Sequence, residues 1–309
     1  MKPTKAVYVD WHMPRKRRGQ IHICKKPWEI AMIIRTSYFS RHYNGLVPVL
    51  YCDPETLLYY QKLGMDKCFR EIYPILPVNP DFDPSIFWAA GKFMAIDHIQ
   101  ENFMLIDLDA EIRYKIRFPD SDVFCSHVEG VTEDDSIYYP DPIYLDPSNY
   151  MENKYGFKWE NKAYNTSILW FKDISVAKEY ASAAMDFIRS IDTLSPGFDV
   201  AYILLAEQRF LYEFCKYKGL DVNTLISGIY WTKDIKRKID PHFEKSDVDY
   251  IGKKGFLHVW GFKNEINIEE KEIDLYKSLL LSRPNLVKQI EESVSINNEI
   301  YESIKLLTL

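Results

Sequence analysis

The chain has 309 residues, 47% of them hydrophobic and 15% aromatic, enough apolar surface for one large domain, or a domain with an appendage, around a well-filled core. A formal net charge of −6 argues against binding nucleic acid by bulk electrostatics. No run approaches the roughly 18 apolar residues of a membrane-spanning helix, and Met1–Lys5 leads straight into strand-like Ala6–Val9, too short for a secretory signal core.

Ala6 to Val9 reads as a buried first strand that ends at Asp10-Trp11-His12, followed by the basic loop Arg15-Lys16-Arg17-Arg18-Gly19. A loop after the first strand of an α/β sheet lies at the carboxyl edge, where such sheets bind ligands. Asp10 and Trp11 are therefore candidate nucleotide-binding residues, and the basic loop is a candidate partner for a diphosphate. A solvated charge run explains the same loop. Pro27 to about Tyr43 has a helical stripe (Ile30, Ile33, Ile34, Tyr38) with Pro27 in its first turn and Asn44-Gly45 as its stop. Leu46 to Tyr51 is a second strand. Asp53 caps a short helix over Glu55 to Leu63, ended by Gly64. Glu71 to Val78 is extended, and Ser85 to about Ile99 is a helix containing Lys92.

The next stretch, Phe103-Met104-Leu105-Ile106-Asp107-Leu108-Asp109, is an apolar strand that closes on two carboxylates. In a strand, residues two apart share a face, so Asp107 and Asp109 would point at one spot beyond the sheet edge. Two such anions call for a hard divalent cation. Turn formation accounts for the same two residues, since Asp-x-Asp is short and common. Strand and helix alternating at this rhythm give a mostly parallel sheet with helices on both faces.

Asp122 to Glu129 is a further strand, and Thr132 to about Glu160 a long loop, rich in Tyr, Trp and Pro, able to stack on sugar faces or simply to pack. Ala163 to Phe171 is a strand. Asp173 caps a helix to about Ile191. Asp199 to about Lys218 is a helix carrying Glu207-Gln208, ended by Gly219. Gly255 to Lys263 holds His258 in a short strand. From Asn267 the chain turns helical, Ile268 to Leu281 and Asn285 to Leu307, an appended pair expected to pack on the domain, on a partner, or on a second copy as a homodimer. The cysteines Cys24, Cys52, Cys68, Cys125 and Cys215 are scattered and never in Cys-x-x-Cys spacing, which suits a reducing compartment. A cytoplasmic protein, or one lying peripherally on the inner face of a membrane, is the expectation.

Taken together, residues 5 to 264 resemble a GT-A-type glycosyltransferase, nearest to bacterial polysaccharide-type enzymes. The pieces that carry the resemblance are Ala89-Ala90-Gly91-Lys92-Phe93, the Asp107-Leu108-Asp109 strand, Tyr164-Asn165-Thr166-Ser167, Ala206-Glu207-Gln208-Arg209, and His258-Val259-Trp260-Gly261-Phe262-Lys263. Ser167 stands where that family usually has Gly. The resemblance implies a GT-A, Rossmann-like catalytic domain over 1–265 and a helical extension over 266–309. It implies that Asp109 and His258 ligate manganese or magnesium, with Asp107 on the metal or the ribose. It places Lys92 and Lys263 near the nucleotide and its sugar, and Asn165, Glu207 and Gln208 on the reacting and acceptor side. The implied activity is metal-dependent transfer from a nucleotide-diphosphate-sugar, UDP-sugar favoured, to a glycan or lipid-linked acceptor, with retention favoured. A non-catalytic nucleotide- or glycan-binding protein on the same fold and a metal-dependent nucleotidyltransferase stand as alternatives.

Overall fold

The computed structural model describes residues 2–17, 23–130, 148–191, 199–227, 229–231, 255–258 and 281–307. The centre is an eight-stranded sheet. Strands β1 (Lys5–Asp10), β2 (Val47–Cys52), β3 (Glu71–Tyr73) and β4 (Phe103–Ile106) run parallel in the order β3-β2-β1-β4. A separate short strand, β5 (Ala110–Ile112), follows β4. The sheet continues through β7 (Lys162–Phe171), antiparallel to both β4 and β6 (Val123–Gly130), and then to β8 (Val222–Thr224), while β9 (Ile229–Trp231) also pairs with β6. Among the described residues every pairing in this sheet is parallel except the two made by β7, so the expected mostly parallel architecture is the one found. The carboxyl ends of β1 and β4 open on one edge, and the chain leaves them at Asp10 and Asp107.

Helices cover both faces because strand side chains alternate. Val7, Leu105, Val123 and Leu169 pack against α4 (Ala90–His98), α6 (Ile174–Arg189) and a long helical segment over 199–218. A short helix, α1 (Met13–Arg17), follows β1, and another, α5 (Ser148–Tyr155), lies within the span read as a long loop. On the opposite face Tyr8, Leu50, Met104, Ile106 and Trp170 pack against α2 (Pro27–Asn44) and α3 (Pro54–Leu63). The caps fall where the sequence put them: Asp53 accepts a hydrogen bond from Thr56 N at 3.0 Å, and Asp173 one from Ser175 N at 2.8 Å.

Three expectations change. The helix read from Ser85 begins at Ala90, because Asp83 Oδ1 takes the Ser85 N–H at 2.8 Å and holds a turn ahead of it. The strand read through Asp109 stops at Ile106. The helix over 199–218 is interrupted: α7 (Asp199–Leu204) passes through a π-helical turn, Leu205–Arg209, into α8 (Phe210–Lys218). The C-terminal helix α9 (Pro284–Leu307) lies on α2 and α3, with Leu286, Val287 and Ile290 buried in the second core. Val294, Ile296 and Ile300 are partly buried on the same core. The companion helix read over 268–281 falls almost wholly outside the described residues, as does the 265/266 boundary. Among the described residues no helix is long and apolar enough to cross a membrane.

Candidate active site

Where β4 stops, Ala110 N donates to Asp107 O at 3.0 Å and closes a tight turn that carries both acids. The backbone N–H of Asp107 is itself held by Ser167 O at 2.8 Å. The two carboxylates therefore converge by turning the chain and not by sharing the face of a strand, which corrects the geometry expected from the sequence.

His258 reaches the same spot through a small antiparallel pair. Strand β10 (Phe256–His258) runs against β5 with Ala110 opposite His258. Gly255, in the turn just before β10, has φ +72, and a Cβ there would lie 2.8 Å from Tyr114 Cδ1, so the position accepts glycine alone without strain. The result is His258 Nε2 at 3.6 Å from Asp109 Oδ1 and 3.9 Å from Asp107 Oδ2.

The other oxygen of Asp107 faces Lys92, with Nζ to Oδ1 at 2.6 Å. The same ammonium lies 2.7 Å from Glu207 Oε1, which also accepts the Thr166 hydroxyl at 2.7 Å. Helix α4 brings Lys92 this close because Gly91 packs on β1: a Cβ there would stand 3.1 Å from Val9 Cγ1. Glu207 sits in the π turn, a local widening that re-aims side chains and recurs at functional sites, and Tyr180 OH donates to its backbone oxygen at 3.0 Å. Burial alone would lower the Lys92 pKa; the charges of Asp107 and Glu207 overcome that and raise it above its ordinary value, so Lys92 is a fixed cation.

Asp107, Asp109 and His258 offer ligand atoms that all lie within 4.8 Å of one another. Two donors about 2.1 Å from one ion stand roughly 3.0 Å apart at a right angle and roughly 4.2 Å apart across it, and the two histidine–carboxylate separations fall between these limits. Two carboxylates and an imidazole suit manganese, magnesium or zinc. The donor set fits a divalent cation.

Comparison with known proteins adds a family. A sequence profile described as "Family of unknown function (DUF6734)" matches residues 81–293. The chain belongs to DUF6734. The matched segment holds Lys92, Asp107, Asp109, Glu207 and His258, and leaves Asp10 and Trp11 outside. No curated protein matches this DUF6734 chain. Among solved structures it is similar to the glycosyltransferase GlyE of Streptococcus pneumoniae TIGR4, at 10% identity over 98% of this chain and 64% of that one, TM-score 0.44. The DUF6734 chain thus spans less than two thirds of the length of GlyE. It is similar also to mouse xyloside xylosyltransferase 1 in its apo form (9% identity, 85% and 100% of the two chains, TM-score 0.39). A third is the galactosyltransferase LgtC in complex with donor and acceptor sugar analogues (8%, 89% and 95%, TM-score 0.39).

The remaining candidates of the DUF6734 chain are placed as follows. Asn165 is buried on β7, its Nδ2 donating to Glu129 Oε1 at 2.8 Å and its Oδ1 accepting from Ser167 N at 3.1 Å. Gln208 is half-buried next to Glu207. Asp10 is buried and engaged by Lys25 Nζ at 2.7 Å and by the Tyr60 hydroxyl. Trp11 is buried too, its indole N–H donating to Pro77 O at 2.9 Å. Neither joins the cluster around Asp107. Of the stretch expected as a basic loop, 15–17 belongs to helix α1, where Arg15 pairs with Glu29 and Lys16 with Glu55; Arg18, Gly19 and Lys263 lie outside the described residues. Sequence reading missed Thr166, Glu129 and His127. The signal available was polarity at the rim ends of β6 and β7, where core strands are otherwise apolar.

Proposed function

We propose that this protein transfers a sugar from a nucleotide-diphosphate-sugar to a hydroxyl acceptor, with a divalent cation held by Asp107, Asp109 and His258. The observation that carries the reading is the meeting of these three side chains at the carboxyl rim of a mostly parallel sheet, with Lys92 tying Asp107 to Glu207. A bound cation there would neutralise the charge that builds on the leaving diphosphate. Lys92 holds one oxygen of Asp107 and thereby leaves the other facing His258. Glu207 Oε1 is shared by Lys92 and Thr166, an arrangement poorly suited to a free base. In the reaction the bond between the anomeric carbon and the phosphate oxygen breaks with its electrons on the diphosphate. The acceptor oxygen bonds to that carbon, and its proton passes to the leaving phosphate oxygen. This favours retention of configuration. Residues 1–265 would be the catalytic domain and 266–309 its extension. Manganese and a UDP-sugar are the first choices for cation and donor, a glycan or lipid-linked hydroxyl for acceptor, and the cytoplasmic side for location.

The test is a donor screen: purified protein, manganese, and UDP-, GDP-, CDP- and ADP-sugars, reading released nucleoside diphosphate. Turnover of one donor, abolished in Asp109→Ala, is expected. No release from any donor, together with no change of melting temperature with any nucleoside diphosphate and manganese, would refute it.

A further inference from the structure

At the rim the β6–β7 ladder loses register. Cys125 faces Leu169 and His127 faces Asn165, so three β7 residues, 166 to 168, lie opposite Ser126 alone. Such irregularities bend strands and recur beside active sites. Backbone groups released from a ladder need other partners, and here the Asn165 side chain supplies one: its Oδ1 accepts the Ser167 N–H at 3.1 Å. Ser167 O in turn accepts the Asp107 N–H at 2.8 Å. Thr166, inside the same interruption, donates to Glu207.

An asparagine amide presents an acceptor at one end and donors at the other, and either end fits many pockets. Glu129 removes that freedom. Its carboxylate only accepts when ionised, so the Asn165 NH₂ must face it, at 2.8 Å, and the carbonyl oxygen must face Ser167. Glu129 is buried, with His127 Nε2 at 3.4 Å from the same Oε1 and His127 Nδ1 at 2.9 Å from Ser126 Oγ. The chain of contacts runs from His127 and Glu129 through Asn165 and Ser167 to the backbone of Asp107.

We infer that Glu129 is a positioning residue for the cation site: through Asn165 and Ser167 it fixes the turn that aims Asp107. The inference rests on the metal reading above and gives Asn165 a different task from the sugar contact expected of it. Partners that orient metal ligands from behind typically change metal affinity by one to two orders of magnitude when removed.

The experiment measures binding of Mn²⁺ alone, by the electron paramagnetic resonance signal of the free ion, to the full chain and to Asn165→Ala, Glu129→Leu and Glu129→Gln. Circular dichroism and melting in EDTA establish folding. Asn165→Ala and Glu129→Leu are expected to weaken Mn²⁺ binding roughly tenfold or more. Glu129→Gln, whose amide oxygen still accepts from Asn165, is expected to restore most of the loss. Should Glu129→Leu fail to fold, the isosteric pair Glu129→Gln and Asn165→Asp decides. Asn165→Asp sets two carboxylates together and weakens binding, whereas Glu129→Gln does not. Unchanged affinity in folded Asn165→Ala and Glu129→Leu, or in Asn165→Asp, overturns the positioning role while leaving the metal site standing. No Mn²⁺ binding by the unsubstituted chain overturns the metal reading and this inference with it.

Discussion

Lys92 Nζ stands 2.6 Å from Asp107 Oδ1, so one half of this carboxylate is neutralised from inside the protein while its other oxygen turns to His258. The same ammonium meets Glu207, which puts two acidic groups from distant parts of the chain on a single cation. Removing one partner of a buried ion cluster leaves the others uncompensated, at about 3 kcal/mol. Lys92→Met is expected to lose that much stability at neutral pH. The pKa of Lys92 is raised, so its contribution is complete below the ordinary value of 10.5 and fades only as pH climbs through the higher folded value. Urea unfolding of both proteins across alkaline pH checks this. A gap between wild type and variant that has already closed by about pH 9 would contradict it.

Asp109 offers the carboxylate oxygen nearest to His258. A ligand at a hundred times its dissociation constant stabilises the folded state by about 2.7 kcal/mol. Manganese at that excess is expected to raise the melting temperature of the wild type, and EDTA to reverse it. Asp109→Asn keeps the shape of the side chain and removes its charge, so most of the rise should vanish. An equal rise in variant and wild type would remove Asp109 from the ligand set.

Asp10 ends a buried strand at the carboxyl edge of the sheet, and its carboxylate is engaged by Lys25 and Tyr60. Burial would raise its pKa, but Lys25 first and then Arg15 outweigh burial and hold it below the ordinary 3.8. A depressed carboxylate contributes stability above the unfolded value and loses it as pH falls through the folded one. Asp10→Asn leaves the Lys25 ammonium buried without its ion partner and should cost about 3 kcal/mol at neutral pH. The difference from wild type should begin to close only below pH 3.8. Donor KM should not move, because Asp10 faces Lys25 and Tyr60. A rise in donor KM at unchanged stability would return Asp10 to the nucleotide.

The alternation of strand and helix, the caps at Asp53 and Asp173, and the acid pair Asp107 and Asp109 are local patterns, and they survive folding; His258 joins the pair from far along the chain. The reason the acids meet was misread, since a strand's two-residue period and a tight turn both bring residues 107 and 109 together. Asp10 looked ligand-facing because it ends a buried strand at the sheet's carboxyl edge. Lys25 and Tyr60, which engage it, come from outside that local pattern. The polarity of Glu129 and His127 at the end of β6 was the only local sign, and it is ambiguous, because a polar strand end reads as solvent-facing until the facing strand supplies Asn165.

The C-terminal helix is tied to the segment after the basic loop by a closed ring of hydrogen bonds. Lys25 N donates to Tyr59 OH at 2.9 Å, that hydroxyl donates to Asn297 Oδ1, and Asn297 Nδ2 donates to Lys25 O at 2.8 Å. Asn297 is buried, and Asn297→Leu removes the acceptor of the Tyr59 hydroxyl and the Cys24 thiol and the donor to Lys25 O, which should cost about 1 to 3 kcal/mol. Hydrogen exchange should quicken at the Lys25 amide ahead of the central sheet. Unchanged protection there would show that α9 is held by its apolar contacts and by bonds such as Ser293 Oγ to Leu63 O, without help from Asn297.

Gly255 allows the sharpest separation of site from scaffold. Its φ of +72 penalises any side chain by about 1 to 2 kcal/mol, and an added Cβ would press on the Tyr114 ring at 2.8 Å. Gly219, at the end of α8, has φ +66 and open space around its missing Cβ, so alanine there carries the backbone penalty without the collision. Both Gly255→Ala and Gly219→Ala should lower stability. Only Gly255→Ala should also weaken Mn²⁺ binding, because the displaced strand delivers His258 three residues later, opposite Ala110. Titrating Mn²⁺ into both variants at a temperature where each is fully folded decides the matter. Equal affinities would mean that His258 holds its place without help from the turn at Gly255, and that the β5–β10 pairing alone positions the imidazole.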